Sequence, residues 1–177
     1  MVAFAKFLWL AFTVTATTIR RDADTVQKDI TQSIGPQVYD LKAEIDAFPG
    51  TGLTGALTIH NNFNVLIATF NTATSNVKSA GSFSNVAGTT ILTSLQALVP
   101  IGISTLLTIE LQVSSWASIP DGKALILTDL QELGNAASNY LDAIISTEPI
   151  PLKAAGLSIK TEIKAAFSKA IAAYIAN

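Results

Sequence analysis

The chain has 177 residues, enough for one domain with a substantial core. Apolar residues make up 49% of it and charged residues only 14%, against roughly a quarter in typical soluble proteins, so its surface is built from Ser, Thr and Ala or is itself apolar. A formal net charge of −2 with no basic run speaks against nucleic acid, where Lys and Arg must neutralise phosphates. The absence of cysteine excludes disulfides, thiolate catalysis and Cys-ligated zinc.

Residues 1–21 read as a signal peptide with a short dibasic pro-segment. Lys6 supplies the positive start, Phe7 to Phe12 the apolar stretch, Val14-Thr15-Ala16 a small-residue cleavage site and Arg20-Arg21 a processing pair. The apolar stretch is too short to span a bilayer. Cleavage after Ala16 and after Arg21 are both compatible with the pattern. Loss of 1–21 removes three basic residues and no acid, leaving eight basic against thirteen acidic residues and a net charge of −5. That charge also makes an anionic membrane a poor electrostatic target. Residues 22–177 form the single expected domain.

Helical spacing then recurs along the chain, with no period-2 alternation of strand length. The first helix carries Val26, Ile30, Ile34, Val38, Leu41, Ile45 and Phe48 at steps of three or four, with Gly35-Pro36 predicted to kink it. Pro49-Gly50-Thr51-Gly52 stops it. A second helix covers about 53–79 and a third about 84–99. Pro100 is placed at the first position of a fourth, running to about Ile119, where its missing N–H costs nothing. Pro120-Asp121-Gly122 is a turn with Asp121 as the expected N-cap. The fifth helix carries Ile126, Leu130, Leu133, Ala137, Leu141 and Ile144 and ends at Glu148-Pro149. The sixth carries Ile159, Ile163, Phe167, Ile171 and Tyr174. The fold class is all-α, an antiparallel bundle of about five to six helices.

Between Ser79 and Pro120 the only charged residue is Glu110. Three readings fit a segment this apolar: the central helix of the bundle, a wall of an apolar cavity or patch, or a membrane span from Ile91 to Ile109. Against the span stand Pro100, Gln96, several hydroxyls and the lack of flanking Lys/Arg, so no transmembrane span is expected in the mature protein.

Motifs for chemistry are missing. His60 is the only histidine, no G-x-S-x-G elbow occurs, and no metal or cofactor is expected. A hydrolase built on His60 is the remote alternative. Gly50-Thr51-Gly52-Leu53-Thr54-Gly55 matches G-x-G-x-x-G but follows a helix and lacks the strand that a dinucleotide site requires. Asp22-Ala23-Asp24 suits a helix N-terminus.

The Arg20-Arg21-Asp22-Ala23 start, the Val26 to Ile30 spacing, Ile45-Asp46-Ala47-Phe48-Pro49-Gly50-Thr51-Gly52, Ala56-Leu57-Thr58-Ile59-His60 and the closing Phe167 to Tyr174 segment coincide. With them the chain resembles the fungal hydrophobic surface-binding protein A family, related to the ligand-binding domains of cell-wall galactomannoproteins. The resemblance covers the whole of 22–177. It implies an all-α bundle, extracellular or loosely wall-associated, that binds hydrophobic material: a hydrophobic surface, with a secreted polyester hydrolase as recruited partner, or a fatty acid held inside the bundle. A structural wall or host-interaction protein is the alternative.

For a lipid carrier, the expected cavity lies between the second, third, fourth and fifth helices. Its candidate lining is Phe63, Ile67, Phe70, Leu95, Leu106, Leu107, Leu130 and Leu141, with His60, Ser104 and Thr105 as candidate donors to a head group.

Overall fold

The computed structural model describes residues 22–176, and the expected leader, residues 1–21, lies outside the described residues. Helix α1 covers 22–47 without interruption. The kink expected at Gly35-Pro36 takes the form of a π turn, Asp29–Ile34, after which the helix resumes as Gly35–Ala47. The Gly35 N–H bonds to the Ile30 carbonyl, five residues back. The wider turn gives room where the Pro36 ring would otherwise press on the carbonyl of Gln32.

Helices α2 (Gly52–Ala80) and α3 (Asn85–Leu111) follow, then a short α4 (Val113–Ala117), α5 (Gly122–Thr147), a 3₁₀ turn (Ile150–Leu152) and α6 (Lys153–Ala176). The break expected at Pro100 does not occur: Pro100 sits inside α3. Pro100 and Gln96 are both exposed. The Gln96 carbonyl, deprived of its usual donor by the proline, therefore faces water, and the helix continues at small cost. Asp121 does stand before α5, but with a left-handed backbone (φ 56°) and no cap bond from its side chain. Its carbonyl accepts from the Leu125 N–H instead (2.9 Å).

The five long helices form a ring. α1 packs chiefly on α2 and α3, α2 on α5, α5 on α6, and α6 returns to α3. Helices consecutive in sequence run antiparallel, yet the ring places α2 parallel to α5. His60 and Asp129, both early in their helices, are bonded across that pair. The same holds for α1 and α3, where Gln27 donates to Ser94 (2.6 Å). Two connections must therefore cross the ends of the ring. At one end Phe83, buried, donates its N–H to the Thr147 carbonyl (2.9 Å). At the other, Trp116 stacks on Phe48 with ring centroids 4.4 Å apart. There Gln112 donates to the carbonyls of Ile45 (2.8 Å) and Phe48 (2.7 Å), and the Tyr174 hydroxyl donates to that of Ile109 (2.8 Å). The Phe48-Pro49-Gly50-Thr51-Gly52 segment makes the corner of this end, with a cis Phe48–Pro49 bond and Gly52 at φ 59°.

Of the three readings of the charge-poor segment, the central helix does not hold, because α3 is a wall of the ring. It is the one helix among the described residues long and apolar enough to cross a membrane, with a mean hydropathy of 1.6. It buries Ile91, Leu92, Leu95, Leu106 and Ile109 at helical spacing. Its threonine hydroxyls need no outside partner. Thr89, Thr90, Thr93, Thr105 and Thr108 each donate to the carbonyl four residues back, at 2.8–3.1 Å. Apart from Glu110, the resulting surface is polar without charge.

Glu148, at the C-terminus of α5, is 3% exposed, and neither carboxylate oxygen has a hydrogen-bond partner. It fills the space left by the missing side chain of Gly88 on α3. Burial pushes its carboxyl from the ordinary 4.5 up to about 7.

Two outcomes follow from these contacts. Gln112→Ala leaves two carbonyls at the closed end without their donor and should cost about 1–3 kcal/mol of unfolding free energy, read from urea midpoints. For Glu148, below pH 4.5 both folded and unfolded chains are protonated there. Between 4.5 and about 7 only the unfolded chain ionises, so stability falls as pH rises through that window. Glu148→Gln should remove about 2–3 kcal/mol of that fall, measured as the difference in unfolding free energy between pH 4 and pH 8.

Candidate functional site

The ring surrounds an apolar cavity of about 100 Å³ that is partly open to the surface. Every long helix contributes to it. α1 supplies Ile34, Val38 and Leu41, and α2 supplies Phe70 alone. α3 gives Leu95, Leu98, Val99, Gly102, Thr105 and Leu106. α5 gives Ala137, Tyr140 and Leu141, and α6 gives Ile159, Ile163 and Phe167. The cavity thus lies between α1, α3, α5 and α6 with a single contact from α2, where the sequence pointed to the second to fifth helices.

Only two lining residues carry a side-chain oxygen. The Thr105 hydroxyl donates to the Ile101 carbonyl (2.9 Å) and is already used. Tyr140 is fully buried, its ring tilted against that of Phe70 with centroids 5.5 Å apart, and its hydroxyl has no partner. Burial, with the negative charge of Asp29 added, raises the phenol well above its ordinary value. It is therefore a neutral donor at pH 7. Such a space excludes water, which needs two or more polar partners to stay.

Two surface grooves adjoin the cavity. One, about 420 Å³ in volume, lies between α5 and α6 and shares Leu141, Ile163 and Phe167 with the cavity wall. It also carries Lys160 and Lys164. The other, about 290 Å³, lies between α1 and α3 beside the π turn, shares Leu98 and has no charged residue in its lining.

The residues singled out in the sequence separate accordingly. Phe70, Leu95, Leu106, Leu141 and Thr105 line the cavity. Phe63 and Leu130 are fully buried in the core elsewhere, and Ile67 is half-buried against it. Leu107 points outward, 47% exposed. Ser104 is half-buried and outside the lining. His60 is also remote from the cavity: its Nδ1 donates to the Asp129 carboxylate (2.9 and 3.0 Å), and its Nε2 accepts from the Asn64 amide (3.1 Å). Asp129 is 1% exposed, and burial, opposed by the bond to His60, raises its carboxyl to about 6. A His–Asp pair resembles part of a hydrolytic triad. Here the nitrogen that would serve a nucleophilic hydroxyl is bonded to the Asn64 amide, and the pair ties α2 to α5.

Sequence reasoning overlooked Tyr140, Phe167, Ile163 and Val38 as cavity residues. Phe167, Ile163 and Val38 belong to stripes that were legible as inward-facing, whereas Tyr140 lies outside the stripe read for its helix. Periodicity does not tell whether an inward residue meets another side chain or a space.

The fold is similar to known structures. AFMP4P in complex with palmitic acid matches with a TM-score of 0.81 and 25% identity, covering 86% of this chain and 99% of that one. Ligand-binding domain 1 of the Penicillium marneffei MP1 protein, complexed with arachidonic acids, matches at 0.78 and 16% identity, over 86% and 98%. Domain 2 of the same protein, complexed with multiple arachidonic acids, matches at 0.78 and 14%, over 86% and 96%. The last two show the shared fold alone. None of the curated protein sequences matches. Hydrophobic surface binding protein A matches residues 23–146, and this chain belongs to that family.

Proposed function

We propose that this protein is a secreted, non-enzymatic carrier of long-chain fatty acid, with the acyl chain lying along the axis of the helix ring. The observation that carries the reading is the cavity itself: sixteen residues from five helices line it, and only the Tyr140 hydroxyl is an unused polar atom. The palmitic acid complex of AFMP4P, on the same fold, supports it. The apolar start of the chain and its small-residue cleavage pattern support secretion.

Size adds a condition. An engineered cavity of about 150 Å³ takes one benzene, so a sixteen-carbon chain needs roughly 400 Å³. The axial cavity holds about 100 Å³. Binding therefore requires the ring to widen or the chain to extend into an adjoining groove.

A second reading, adsorption to a hydrophobic surface, is favoured by exposed Val86 (79%) and Leu111 (84%) on α3 and Ile150 (86%) after α5. Val86 and Leu111 stand at opposite ends of α3, so the three do not form one patch. Large contiguous patches are what mark interaction surfaces, so the carrier reading is preferred. Recruitment of a polyester hydrolase would belong to the adsorber.

Gly102 provides the test. Within 4 Å, a Cβ there would meet only Ile163 Cδ1, at 3.7 Å. Gly102→Leu should fill the cavity, keep or raise the melting temperature, and weaken palmitate binding at least tenfold by calorimetry. Palmitate at about a hundred times its Kd should stabilise the unsubstituted protein by about 2.7 kcal/mol. No thermal shift with palmitate, together with retention on hydrophobic beads, would transfer the function to the adsorber.

A further inference from the structure

We propose that the ligand's carboxylate is held outside the cavity, in the α5–α6 groove, by the ammonium of Lys164 with Lys160 beside it, and that the chain enters between Leu141, Ile163 and Phe167. This rests on the carrier reading above and specifies which end of the ligand lies where.

The axis is a poor place for a carboxylate. Its one unused donor is the Tyr140 hydroxyl, and Asp29 acts on that phenol as a nearby negative charge. An anion there would lose its hydration for one neutral hydrogen bond and meet repulsion besides. The head group is better left at the surface, with only the chain inside.

Of the two adjoining grooves, the α1–α3 groove offers no cation. The α5–α6 groove offers two and no carboxylate among its lining residues. Lys160 is shared with Asp142 at 2.6 Å. Lys164 is exposed and forms no salt bridge among the described residues. In a chain with eight basic and thirteen acidic residues from position 22 onward, a groove with this balance is a local exception. Exposed ammonium groups keep the carboxylate partly hydrated, which avoids the cost of burying an ion pair.

The groove is also continuous with the cavity. Leu141, Ile163 and Phe167 border both spaces, so moving these side chains joins them. Phe167 is the largest of the three, and it packs against Gly134: a Cβ at 134 would meet its ring at 3.2 and 3.3 Å. Gly134 thus lets the ring sit between the helices as a closure. The groove's volume of about 420 Å³ supplies the room that the axial cavity lacks.

The test compares palmitate with methyl palmitate at pH 8 and low ionic strength, by calorimetry on the unsubstituted protein, Lys164→Glu and Lys164→Arg. The expected result is that Lys164→Glu weakens palmitate about fivefold, leaves the ester unchanged, and that Lys164→Arg restores palmitate. Palmitate bound equally by the unsubstituted protein and Lys164→Glu would overturn the groove assignment and leave the carrier reading standing. Equal weakening of both ligands would also overturn it, since the lysine would then act on the groove's shape. Failure of the unsubstituted protein to bind either ligand would overturn both the assignment and the carrier reading.

Discussion

Everything in this protein depends on five helices closing a ring with no helix at its centre. Cylinders about 10 Å across, packed side by side in a ring of five, leave an axial gap of roughly 7 Å, against roughly 4 Å for a ring of four. Side chains must fill that gap. The structure fills most of it with Phe70, Tyr140, Leu106 and Leu141 and leaves a dry remainder. A long alkyl chain is one of few molecules shaped to occupy such a space.

The ring sets the demands on every other feature. Two chain crossings are needed to close it, and each crossing carries its own fastening: Phe83 at one end, and Gln112, Trp116 and Tyr174 at the other. With chain crossing both ends, the sides, where one helix meets the next, offer a route to the axis. The low charge content has the same origin. Serine and threonine hydroxyls turned back on their own helices keep the outer faces of α2 and α3 polar while competing for no partner elsewhere. Hydration falls to uncharged groups, and the few charges are left for particular places such as the α5–α6 groove.

Much of the fold was legible in the sequence because each helix keeps its apolar stripe. Pro100 misled because proline's cost depends on where its orphaned carbonyl points, and spacing alone does not place Gln96 on the water side. Asp121 misled because residue preference says which side chains suit a cap, and the left-handed backbone at that position aims the carboxylate elsewhere. The site was less legible than the fold. Leu95, Leu106 and Leu141 look the same in sequence as Phe63 and Leu130, yet the first three face the cavity and the last two are packed solid. The ring order decides this, and the order follows from contacts between helices far apart in the chain. His60 drew attention as the only imidazole. Its role is to keep a buried aspartate company.

The π turn in α1 has a consequence for how such a fold changes over generations. From Val26 the stripe advances by three successive steps of four, through Ile30 and Ile34 to Val38. In a regular α-helix each such step drifts about 40° around the axis, and three would carry Val38 far from the face on which Val26 lies. The turn at Asp29–Ile34 winds more slowly and cancels the drift. A helix of this kind stores one surplus residue. Loss of that residue by deletion would leave a smoother helix and swing Val38 and Leu41 off the cavity wall. Length changes in this segment, more than replacement of its side chains, would therefore reshape the wall of the axial cavity.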